Sequence, residues 1–462
     1  MTAENLKEAT LNFFPFQAYP QQLALIEGLS RFCTGYAPRD IFLLNGYAGS
    51  GKTSIIGALV RALESFKRKT VILAPTGRAA KVASNLSANK ASTIHKRIFR
   101  ADSPEPATHF SAAPNNSHDT IFIVDEASLI TDAGTAGQGL LQQLIRYVYS
   151  GRNCTMILLG DIAQLPPIGQ TNAPAMSEER LRRLGLNPYS FTLDATFRQT
   201  SGSGILFNAT AIRHLIFNKK TGHIPTLYKT AFEDVGVISG NELSDALSTS
   251  WSEVGVDETI IITRSNKRAN QYNMAIRNQV MMAEEPLQQG ERLMVSKNDY
   301  YWSKLNNLPT LIANGDIINL CWVGRTEKMY GRYFTDIEFT IGNNPQRMGA
   351  KLMLRSLMAE GPSIPREEMD AFYNLVLSEQ EGTMTEQIMN ALQDPYYNAV
   401  QAKYGYCITC HKSQGGQWKH VYIDMAGIAA DAIDETFYRW LYTAITRATE
   451  KVFFINPTIA VE

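Results

Sequence analysis

The sequence predicts an α/β fold with two parallel sheets, each covered by helices, and an insert of different character in the second half. Residues 1–90 and 118–185 alternate between short apolar runs and amphipathic runs, as strands and helices do in such sheets. A second pattern of this kind begins near Phe191 and resumes at Gly405. Between its two parts, residues 287–403 first alternate like antiparallel strands and then resemble helices.

The first half contains four predicted strands, and polar or glycine-rich residues follow each of them. The strands are 40–44, 70–74, 120–124 and 155–159. In open α/β sheets, ligands bind outside the carboxyl ends of the strands. We therefore expect the functional residues of this half to meet in one crevice.

The first of these strands leads into a glycine-rich loop. Residues 46–53, GYAGSGKT, fit the pattern G-x-x-x-x-G-K-[ST], and an amphipathic helix is predicted over 54–63. Glycines let backbone N–H groups surround phosphate oxygens, and the helix N-terminus adds partial positive charge. Lys52 is expected to reach the β- and γ-phosphates and Thr53 to hold Mg²⁺. The motif predicts a site for ATP or GTP. The predicted contacts in this loop are Gly46, Gly49, Ser50, Gly51, Lys52 and Thr53.

Two further strand ends carry residues suited to phosphoryl transfer. Asp125, after strand 120–124, would hold Mg²⁺ through its water shell, and Glu126 would orient or deprotonate the attacking water. A solvated acidic turn is the alternative, but the glycine-rich loop favours the catalytic interpretation. Gln164 follows strand 155–159 in a proline-containing turn and can hydrogen-bond a γ-phosphate, although an ordinary Asp-initiated turn explains the same residues.

Cationic residues elsewhere in the chain also suit phosphate. Arg198 and Arg447 would stabilise the charge that develops on the γ-oxygens, provided that the second α/β half brings them there; each alone is compatible with a surface position. The segments 75–81 and 409–416 combine hydroxyl, backbone N–H and cationic groups, which suit contacts to a nucleic-acid backbone. A helix cap with solvated basic residues is the alternative for either segment.

Composition excludes several classes of protein. The 462 residues include 44 Lys+Arg and 44 Asp+Glu, so the chain is not globally basic and any nucleic acid must bind in a local groove. No apolar stretch approaches the roughly 20 residues of a membrane span, and the N-terminus lacks the apolar region of a signal peptide. The five scattered cysteines indicate reduced thiols and a cytoplasmic location. Cys407 and Cys410 have no second pair at zinc spacing, so we expect no metal there.

Seven motifs, taken in order, resemble those of superfamily 1 helicases, and the resemblance is closest to the RecD and Dda branch. They are GYAGSGKT at 46–53, APTGRAA at 74–80, STIH at 92–95, VDEAS at 124–128, GDIAQLPP at 160–167, ITCHKSQGG at 408–416 and YTAITRA at 442–448. The match spans about 400 residues. HKSQG followed about thirty residues later by YTAITRA is specific to that branch. The resemblance implies a monomeric, ATP- and Mg²⁺-dependent DNA helicase of bacterial or phage type, which moves 5′ to 3′ on single-stranded DNA and acts at junctions with duplex.

The resemblance also implies roles for individual residues in two RecA-like domains that enclose ATP. The catalytic residues of the first domain would be Lys52, Asp125, Glu126 and Gln164, with Thr53 and Asp125 at the metal. The second domain would supply Arg198 and Arg447. Further nucleotide contacts would be Gln22, as the adenine-contacting glutamine, and Gly415. The strand-binding groove would be lined by Pro75, Thr76, Arg78, Thr93, His95, Asn266, Thr409, His411 and Lys412.

Two inserts interrupt the implied domains. The first domain would comprise 1–95 and 120–185, the second 186–286 and 404–462, and the inserts 96–119 and 287–403. The first insert would carry the strand-separating pin, with Phe99, His109, Phe110 or none of these as the wedge. The second would be an SH3-like barrel, in which Asn314-Gly315 marks a tight turn. Helices from about 346 would follow the barrel and clamp the strand or dock a replication or repair protein.

Two other functions stay open at this point. An RNA helicase or remodeller is one, because contacts to the phosphate backbone distinguish DNA from RNA poorly. An ATP-gated nucleic-acid-binding module without unwinding activity is the other. Stimulation of ATP hydrolysis by DNA and by RNA distinguishes the first, and unwinding of a tailed duplex distinguishes the second.

Overall fold

A computed structural model of the chain describes residues 1–84, 91–101, 110–132, 139–194, 202–218, 222–308, 311–342, 344–429 and 432–462. Its strands are β1 (Asp40–Gly46), β2 (Lys69–Ala74), β3 (Ser92–Thr93), β4 (Phe99–Ala101), β5 (Phe110–Ala112), β6 (Thr120–Val124), β7 (Thr155–Gly160), β8 (Asn187–Leu193), β9 (Val235–Ile238), β10 (Thr259–Thr263), β11 (Arg292–Val295), β12 (Ile317–Met329), β13 (Arg332–Ile341), β14 (Asn344–Met353), β15 (Ala402–Tyr404), β16 (Cys407–Thr409), β17 (Trp418–Asp424) and β18 (Ala448–Ile455).

Its α-helices are α1 (Ala3–Phe13), α2 (Pro20–Gly35), α3 (Lys52–Ser65), α4 (Gly77–Ser84), α5 (Ile94–Ile98), α6 (Leu140–Ser150), α7 (Glu178–Arg183), α8 (Gly204–Phe217), α9 (Leu243–Val254), α10 (Asn266–Ala275), α11 (Tyr301–Leu305), α12 (Arg366–Ser378), α13 (Met384–Gln393), α14 (Cys410–Ser413) and α15 (Glu435–Ile445). Short 3-10 turns lie at Ala127–Leu129, Pro174–Met176, Gly240–Glu242 and Leu354–Met358, and a π-helical turn at Ile276–Val280.

The first sheet has six parallel strands in the order β3-β2-β6-β7-β1-β8. Both of its faces are covered, as the apolar runs predict. On β1, Phe42 and Leu44 pack in one core with residues of α1, α2 and α3. Ile41 and Leu43 point the other way, into a second core with residues of α6. Helices therefore cover the two faces, and the functional residues lie at the carboxyl edge.

The second sheet has five parallel strands in the order β16-β10-β17-β18-β9. On β10, Ile260 and Ile262 pack with residues of α8 and α15. Ile261, on the opposite face, packs with Leu293 and Phe339 of the antiparallel sheet. The expected α/β class with parallel sheets is confirmed.

The insert forms a five-stranded antiparallel sheet in the order β14-β13-β12-β11-β15. The amide of Met353 donates to the carbonyl of Val400, and the amide of Val400 donates to that of Lys351, so the two edges of the sheet meet. An SH3-like barrel stays a prediction for this insert. The tight turn at Asn314-Gly315 is confirmed, because the amide of Asp316 donates to Ala313 O and Gly315 has φ 90°.

The prediction of helix from about residue 346 is wrong for its first part, since β14 ends at Met353. Met, Leu, Lys and Arg favour helix locally, but here this segment pairs along β13. Helices do follow as α12 and α13, and they pack on the sheet through Phe372, which lies in one apolar cluster with Phe334.

The first sheet extends further along the chain than the sequence-based boundary. β8 pairs with β1, so the first sheet continues to Leu193, beyond the predicted end at residue 185. An edge strand of this kind depends on pairing with a distant segment, and local sequence does not specify that pairing. The other domain limits stay predictions. Within the described residues, no helix combines the length and apolar character needed to span a bilayer.

The small insert contains the β4–β5 hairpin, in which Phe99 is paired with Ala112. The ring of Phe99 packs 5.7 Å from that of His95. His109 and the side chain of Phe110 lie outside the described residues. The identity of the wedge therefore stays a prediction.

Candidate nucleotide and nucleic-acid sites

The glycine-rich loop joins β1 to α3 and has the geometry of a phosphate cradle. Gly49 and Gly51 have φ values of 78° and 86°, in the region that favours glycine. A Cβ on Gly46 would lie 2.5 Å from Cγ of Lys52, so only glycine lets this lysine fold back over the loop. The sequence pattern and the backbone conformation agree at these positions.

The residues around the loop fit a nucleoside triphosphate and its metal. The buried Ser50 Oγ has no hydrogen-bond partner among the described residues, so a polar group is ready for a ligand there. The hydroxyl of Thr53 is on an exposed residue in the first turn of α3, and Asp125 is half-buried at the end of β6. A hydroxyl and a carboxylate are the oxygen ligands that Mg²⁺ prefers.

Asp125 and Glu126 lie directly after β6. Burial raises the pKa of Asp125, while the charge of Lys52 acts in the opposite direction. The pKa of Glu126 is also raised, first by burial and then by the Asp125 carboxylate. Glu126 has φ 51°, which is uncommon outside glycine, and its amide donates a 2.8 Å hydrogen bond to Asp125 Oδ1. The turn thus holds the Glu126 carboxylate beside Asp125, which is predicted to bind the metal.

Arg447 extends from the second sheet toward these carboxylates. Its charge acts to lower the pKa of Glu126, so the two groups lie near enough to interact electrostatically. The guanidinium is buried and donates hydrogen bonds to Thr443 O, Gly416 O and Thr446 Oγ1 at 3.0, 3.3 and 3.1 Å. Arg198, the other predicted cation of this site, lies outside the described residues.

Gln164 lies in the loop that follows β7 of the first sheet and contacts elements of the second half. Its side chain is buried, and Nε2 lies 3.5 Å from Asp161 Oδ2 while Oε1 has no partner among the described residues. The next amide, that of Leu165, donates a 2.8 Å hydrogen bond to Thr443 Oγ1 on α15. Gln414 Nε2 donates to the carbonyl of Leu165, also at 2.8 Å. The loop is therefore held by residues of the second half, and the contact of Gln164 with the γ-phosphate stays a prediction.

The two remaining predicted nucleotide contacts have specific neighbours. Gln22 is buried, and its Nε2 donates a 3.2 Å hydrogen bond to the carbonyl of Ser50, so it supports the glycine-rich loop. Gly415 has φ 73° and packs against Ala79 of α4, where a Cβ would lie 3.2 Å from Ala79 Cβ. Both assignments to the nucleotide stay predictions.

The predicted strand-binding residues of the first half lie around α4 and α5. Thr76 Oγ1 accepts the amide of Ala79, and Thr93 Oγ1 accepts the amide of Lys96, so both hydroxyls cap helices. His95 is exposed on α5, and partial desolvation lowers its pKa. Pro75, just before Thr76, is half-buried.

Arg78 is the most constrained of these groups. Its guanidinium carbon lies 4.1 Å from the centroid of the Trp418 ring, on the second sheet. Burial, followed by the charges of Arg292 and Arg447, lowers its pKa to about 9. Arg78 thus connects the two halves of the molecule, and a contact to nucleic acid stays a prediction.

The second half contributes the other predicted groove residues. Thr409 ends β16 and precedes α14, on which His411 is exposed and Lys412 is half-buried. Burial, followed by the charge of Lys403, lowers the pKa of Lys412 to about 8. Lys412 Nζ donates a 3.4 Å hydrogen bond to the carbonyl of Pro362. Asn266 begins α10 and is half-buried.

Several residues of the cleft carried no assigned role in the sequence. Arg439 on α15 donates hydrogen bonds to the carbonyls of Ile162 and Gln164. Tyr442 begins the motif YTAITRA, and Trp418 lies two residues after the motif ITCHKSQGG. These positions were the only indication of a role in the sequence. Arg213 on α8 lies in no motif that the sequence pattern identifies.

Two family models match the chain. An AAA domain model matches residues 21–215, and a UvrD-like helicase C-terminal domain model matches residues 404–455. The first range contains Glu126 and the second contains Arg447, whose charge acts on the pKa of Glu126.

Relatives with similar sequences include an uncharacterised protein of Acanthamoeba polyphaga mimivirus, 23% identical over 90% of this chain and 95% of its own length. The ATP-dependent RecD2 DNA helicase of Deinococcus radiodurans is 30% identical over 132 residues, which are 29% of this chain and 17% of that protein. The ATP-dependent DNA helicase dda of Enterobacteria phage T4 is 23% identical over 60% of this chain and 62% of its own length. The chain therefore matches less than two thirds of either named helicase.

A solved structure has the same fold. It is the Pif1 helicase from Bacteroides in complex with ADP-AlF3 and single-stranded DNA, with a TM-score of 0.52, 16% identity and coverage of 96% of this chain and 93% of that one. The two matched models, the named relatives and this fold agree with the seven ordered motifs. The chain is similar to superfamily 1 helicases, and RecD2 and Dda are among its relatives.

Proposed function

We propose that the chain is an ATP-dependent DNA helicase that moves 5′ to 3′ along single-stranded DNA and unwinds duplex DNA. The observation that carries the proposal is the presence of Glu126 and Arg447 in one cleft, on elements of different sheets. A hydrolytic carboxylate on one side and an arginine on the other make ATP turnover depend on cleft closure. A motor needs this dependence to convert hydrolysis into movement.

In the proposed reaction, the backbone N–H groups of the glycine-rich loop and Lys52 bind the phosphates of ATP. Glu126 removes a proton from the attacking water, and its raised pKa makes it a stronger base than an ordinary glutamate. Arg447 stabilises negative charge on the transferred phosphoryl group. Thr53 and Asp125 would hold Mg²⁺, which supplies further neutralisation of phosphate charge when bound.

Movement along the strand follows from the contacts between the halves. ATP favours the closed cleft because groups from both sheets then contact it, and loss of the γ-phosphate removes part of that preference. The single-stranded DNA would lie across α4, where Thr76 caps the helix, and across α14, which carries His411 and Lys412. Because the two helices belong to different halves, each closure changes their separation along the strand. If the two halves alternate in binding the DNA tightly, each cycle of ATP hydrolysis moves the DNA in one direction.

The named relatives support the DNA substrate. RecD2 and dda are described as ATP-dependent DNA helicases, and the Bacteroides Pif1 structure contains single-stranded DNA. The proposed 5′ to 3′ direction rests on the resemblance of the seven motifs to the RecD and Dda branch, since no distance within the chain specifies it. We also propose a monomer in the cytoplasm. Sedimentation of the protein with and without DNA tests the monomer, and imaging of the tagged protein in cells tests its location.

The helical pair α12–α13 favours a protein partner over a strand clamp. Acidic residues predominate on this segment: Glu367, Glu368, Asp370, Glu379, Glu381, Glu386 and Asp394, against Arg366. Such a surface repels phosphate and suits a basic protein of replication or repair. We expect replacement of Glu379, Glu381 and Glu386 by glutamine to leave affinity for single-stranded DNA unchanged. A several-fold change in that affinity would contradict the assignment.

Strand displacement from two matched duplexes tests the main proposal. One duplex carries a 5′ single-stranded DNA tail and the other a 3′ tail, with ATP and Mg²⁺ present and the Lys52→Ala variant as control. We expect displacement from the 5′-tailed duplex alone, and none by the variant, which should still bind the strand. Displacement from the 3′ tail alone would overturn the polarity. A duplex left intact from either tail, with ATP hydrolysis stimulated by DNA, would identify a translocase or gated binding module.

The RNA alternative needs a separate comparison. Stimulation of ATP hydrolysis by poly(dT) and poly(U) of equal length distinguishes the two polymers, because backbone contacts alone bind either one. We expect stronger stimulation by the DNA polymer. Equal or stronger stimulation by RNA would contradict the proposed substrate.

A further inference from the structure

We propose that Arg213 and Tyr442, which lie on helices of the second sheet, are positioning residues for the glycine-rich loop, or P-loop. They hold its tip, defined here as Tyr47 and Ala48. The kinetic consequences of this inference rest on the proposed function. The contacts themselves do not, since they lie between described residues of the two halves. Neither residue contacts the phosphates in the proposed mechanism.

Arg213 lies on the face of an aromatic ring at this tip. Its guanidinium carbon is 4.3 Å from the centroid of the Tyr47 ring, and the side chain is 9% exposed. Phe217, one turn later on α8, packs against the same ring at 5.7 Å. No ion pair joins Arg213 to a carboxylate among the described residues. A buried cation normally needs a compensating interaction, and the face of the Tyr47 ring provides one.

Tyr442 holds the second residue of the tip. The amide of Ala48 donates a 3.0 Å hydrogen bond to the Tyr442 hydroxyl, which donates in turn to Asp161 Oδ2 at 2.8 Å. Tyr442 is 1% exposed, and burial raises its pKa well above the ordinary value. The hydroxyl therefore keeps its proton and can serve as donor and acceptor at the same time.

Both contacts are made across the cleft. The tip follows β1 of the first sheet, whereas α8 and α15 pack on the second sheet. Opening the cleft would separate Arg213 from Tyr47 and Tyr442 from Ala48 together. These contacts therefore favour the closed arrangement before hydrolysis begins. The apparent affinity for a ligand that needs the closed arrangement falls in proportion to the fraction of molecules that are closed.

The expected effect is a split between KM and kcat. Arg213→Met and Tyr442→Phe should each raise the KM for ATP by roughly three- to tenfold, while saturating ATP restores kcat to within about twofold. Arg213→Lys keeps a cation over the ring and should recover most of the wild-type KM. His214→Ala, which changes the exposed neighbour on the same helix, is the matched control and should leave KM unchanged.

A double-mutant cycle tests whether Arg213 acts through Tyr47. Tyr47→Leu removes the ring, so Arg213→Met should raise KM no further in that background. Additive effects of the two substitutions would overturn the proposed contact. Loss of kcat and thermal stability with an unchanged KM would also overturn it, because that pattern indicates a role in packing alone.

The inference can fail independently of the proposed function. Wild-type protein without DNA-stimulated ATP hydrolysis would contradict the motor, whatever the variants do. Binding of a fluorescent ATP analogue in the absence of DNA then decides the role of Arg213 and Tyr442. Weaker binding by Arg213→Met and Tyr442→Phe, with Arg213→Lys and His214→Ala close to wild type, would support the inference. Equal affinities of all variants would overturn it.

Discussion

Lys81 and Asp316 form an ion pair of 2.8 Å that joins α4 on the first sheet to the antiparallel insert. The Asp316 side chain is almost fully buried, and its other oxygen accepts the amide of Ala313 at 2.8 Å. One turn earlier on α4, a Cβ on Gly77 would lie 2.0 Å from Ala313 Cβ. The helix that carries Arg78 is therefore held directly against the insert.

This close approach predicts that Gly77→Ala destabilises the protein. Alanine normally stabilises a helix by about 1 kcal/mol relative to glycine, so propensity alone predicts the opposite sign. Overlap with Ala313 should reverse it and lower the Tm measured by calorimetry by about 3 °C or more. Affinity for single-stranded DNA should fall as well, because α4 carries predicted groove residues.

The variant Ala313→Gly supplies the matched control for this contact. Combined with Gly77→Ala, it removes the overlapping methyl group and should restore both Tm and DNA affinity. A higher Tm for Gly77→Ala alone would show that α4 and the insert are not in contact in solution.

The raised pKa of Glu126 predicts an acidic limb in the pH profile of kcat. The carboxylate must be deprotonated to act as base, so kcat falls as pH decreases through its pKa. An ordinary glutamate has a pKa of about 4.3. Because the pKa of Glu126 is raised, the decline in kcat should begin at a higher pH than it would for such a group. Glu126→Gln should lower kcat by about 100-fold or more and remove this limb, with nucleotide binding retained. A profile of the same shape in both proteins would exclude Glu126 as the base.

Local sequence predicted the residues that one strand end or one loop brings together. The glycine-rich loop and the pair Asp125–Glu126 each follow a buried strand, and the periodicity of apolar residues locates such strands. The positive φ of Glu126 was not predictable, since it arises from the turn that follows β6. Local preference predicts helix from about residue 346, but residues up to Met353 form β14 because pairing with β13 outweighs that preference.

Contacts between the two halves could not be predicted from one sequence. Arg213 and Tyr47 are far apart along the chain, and no periodicity relates α8 to the tip of the P-loop. Arg78 presents the same difficulty, because basic residues after a strand suggest solvent or phosphate, whereas its guanidinium packs on Trp418. Such positions depend on how two separately folded sheets meet.

The lowered pKa of Lys412 predicts that the affinity for single-stranded DNA decreases at alkaline pH. Burial lowers its pKa to about 8, so the ammonium group loses its charge as pH rises through that value. The Kd for single-stranded DNA at constant salt should therefore increase from pH 7 to 9, by at most about tenfold per pH unit. Lys412→Arg remains charged and should bind with little pH dependence over this range. An identical pH dependence in the two proteins would assign the effect to another group.

The hydrogen bonds of Arg447 predict that lysine cannot replace it. Its guanidinium donates to Thr443 O, Gly416 O and Thr446 Oγ1, a geometry that fixes its plane, and an ammonium group cannot reproduce it. Arg447→Lys should lower kcat by roughly 100- to 1,000-fold at saturating ATP and DNA, because the lost interaction belongs to the transition state. The KM for ATP should change much less, which separates this residue from Arg213. Arg146→Lys, an exposed substitution on α6, is the control for replacing an arginine as such. A kcat within about twofold of wild type for Arg447→Lys would show that charge alone suffices, and the proposed role of the planar group would then be wrong.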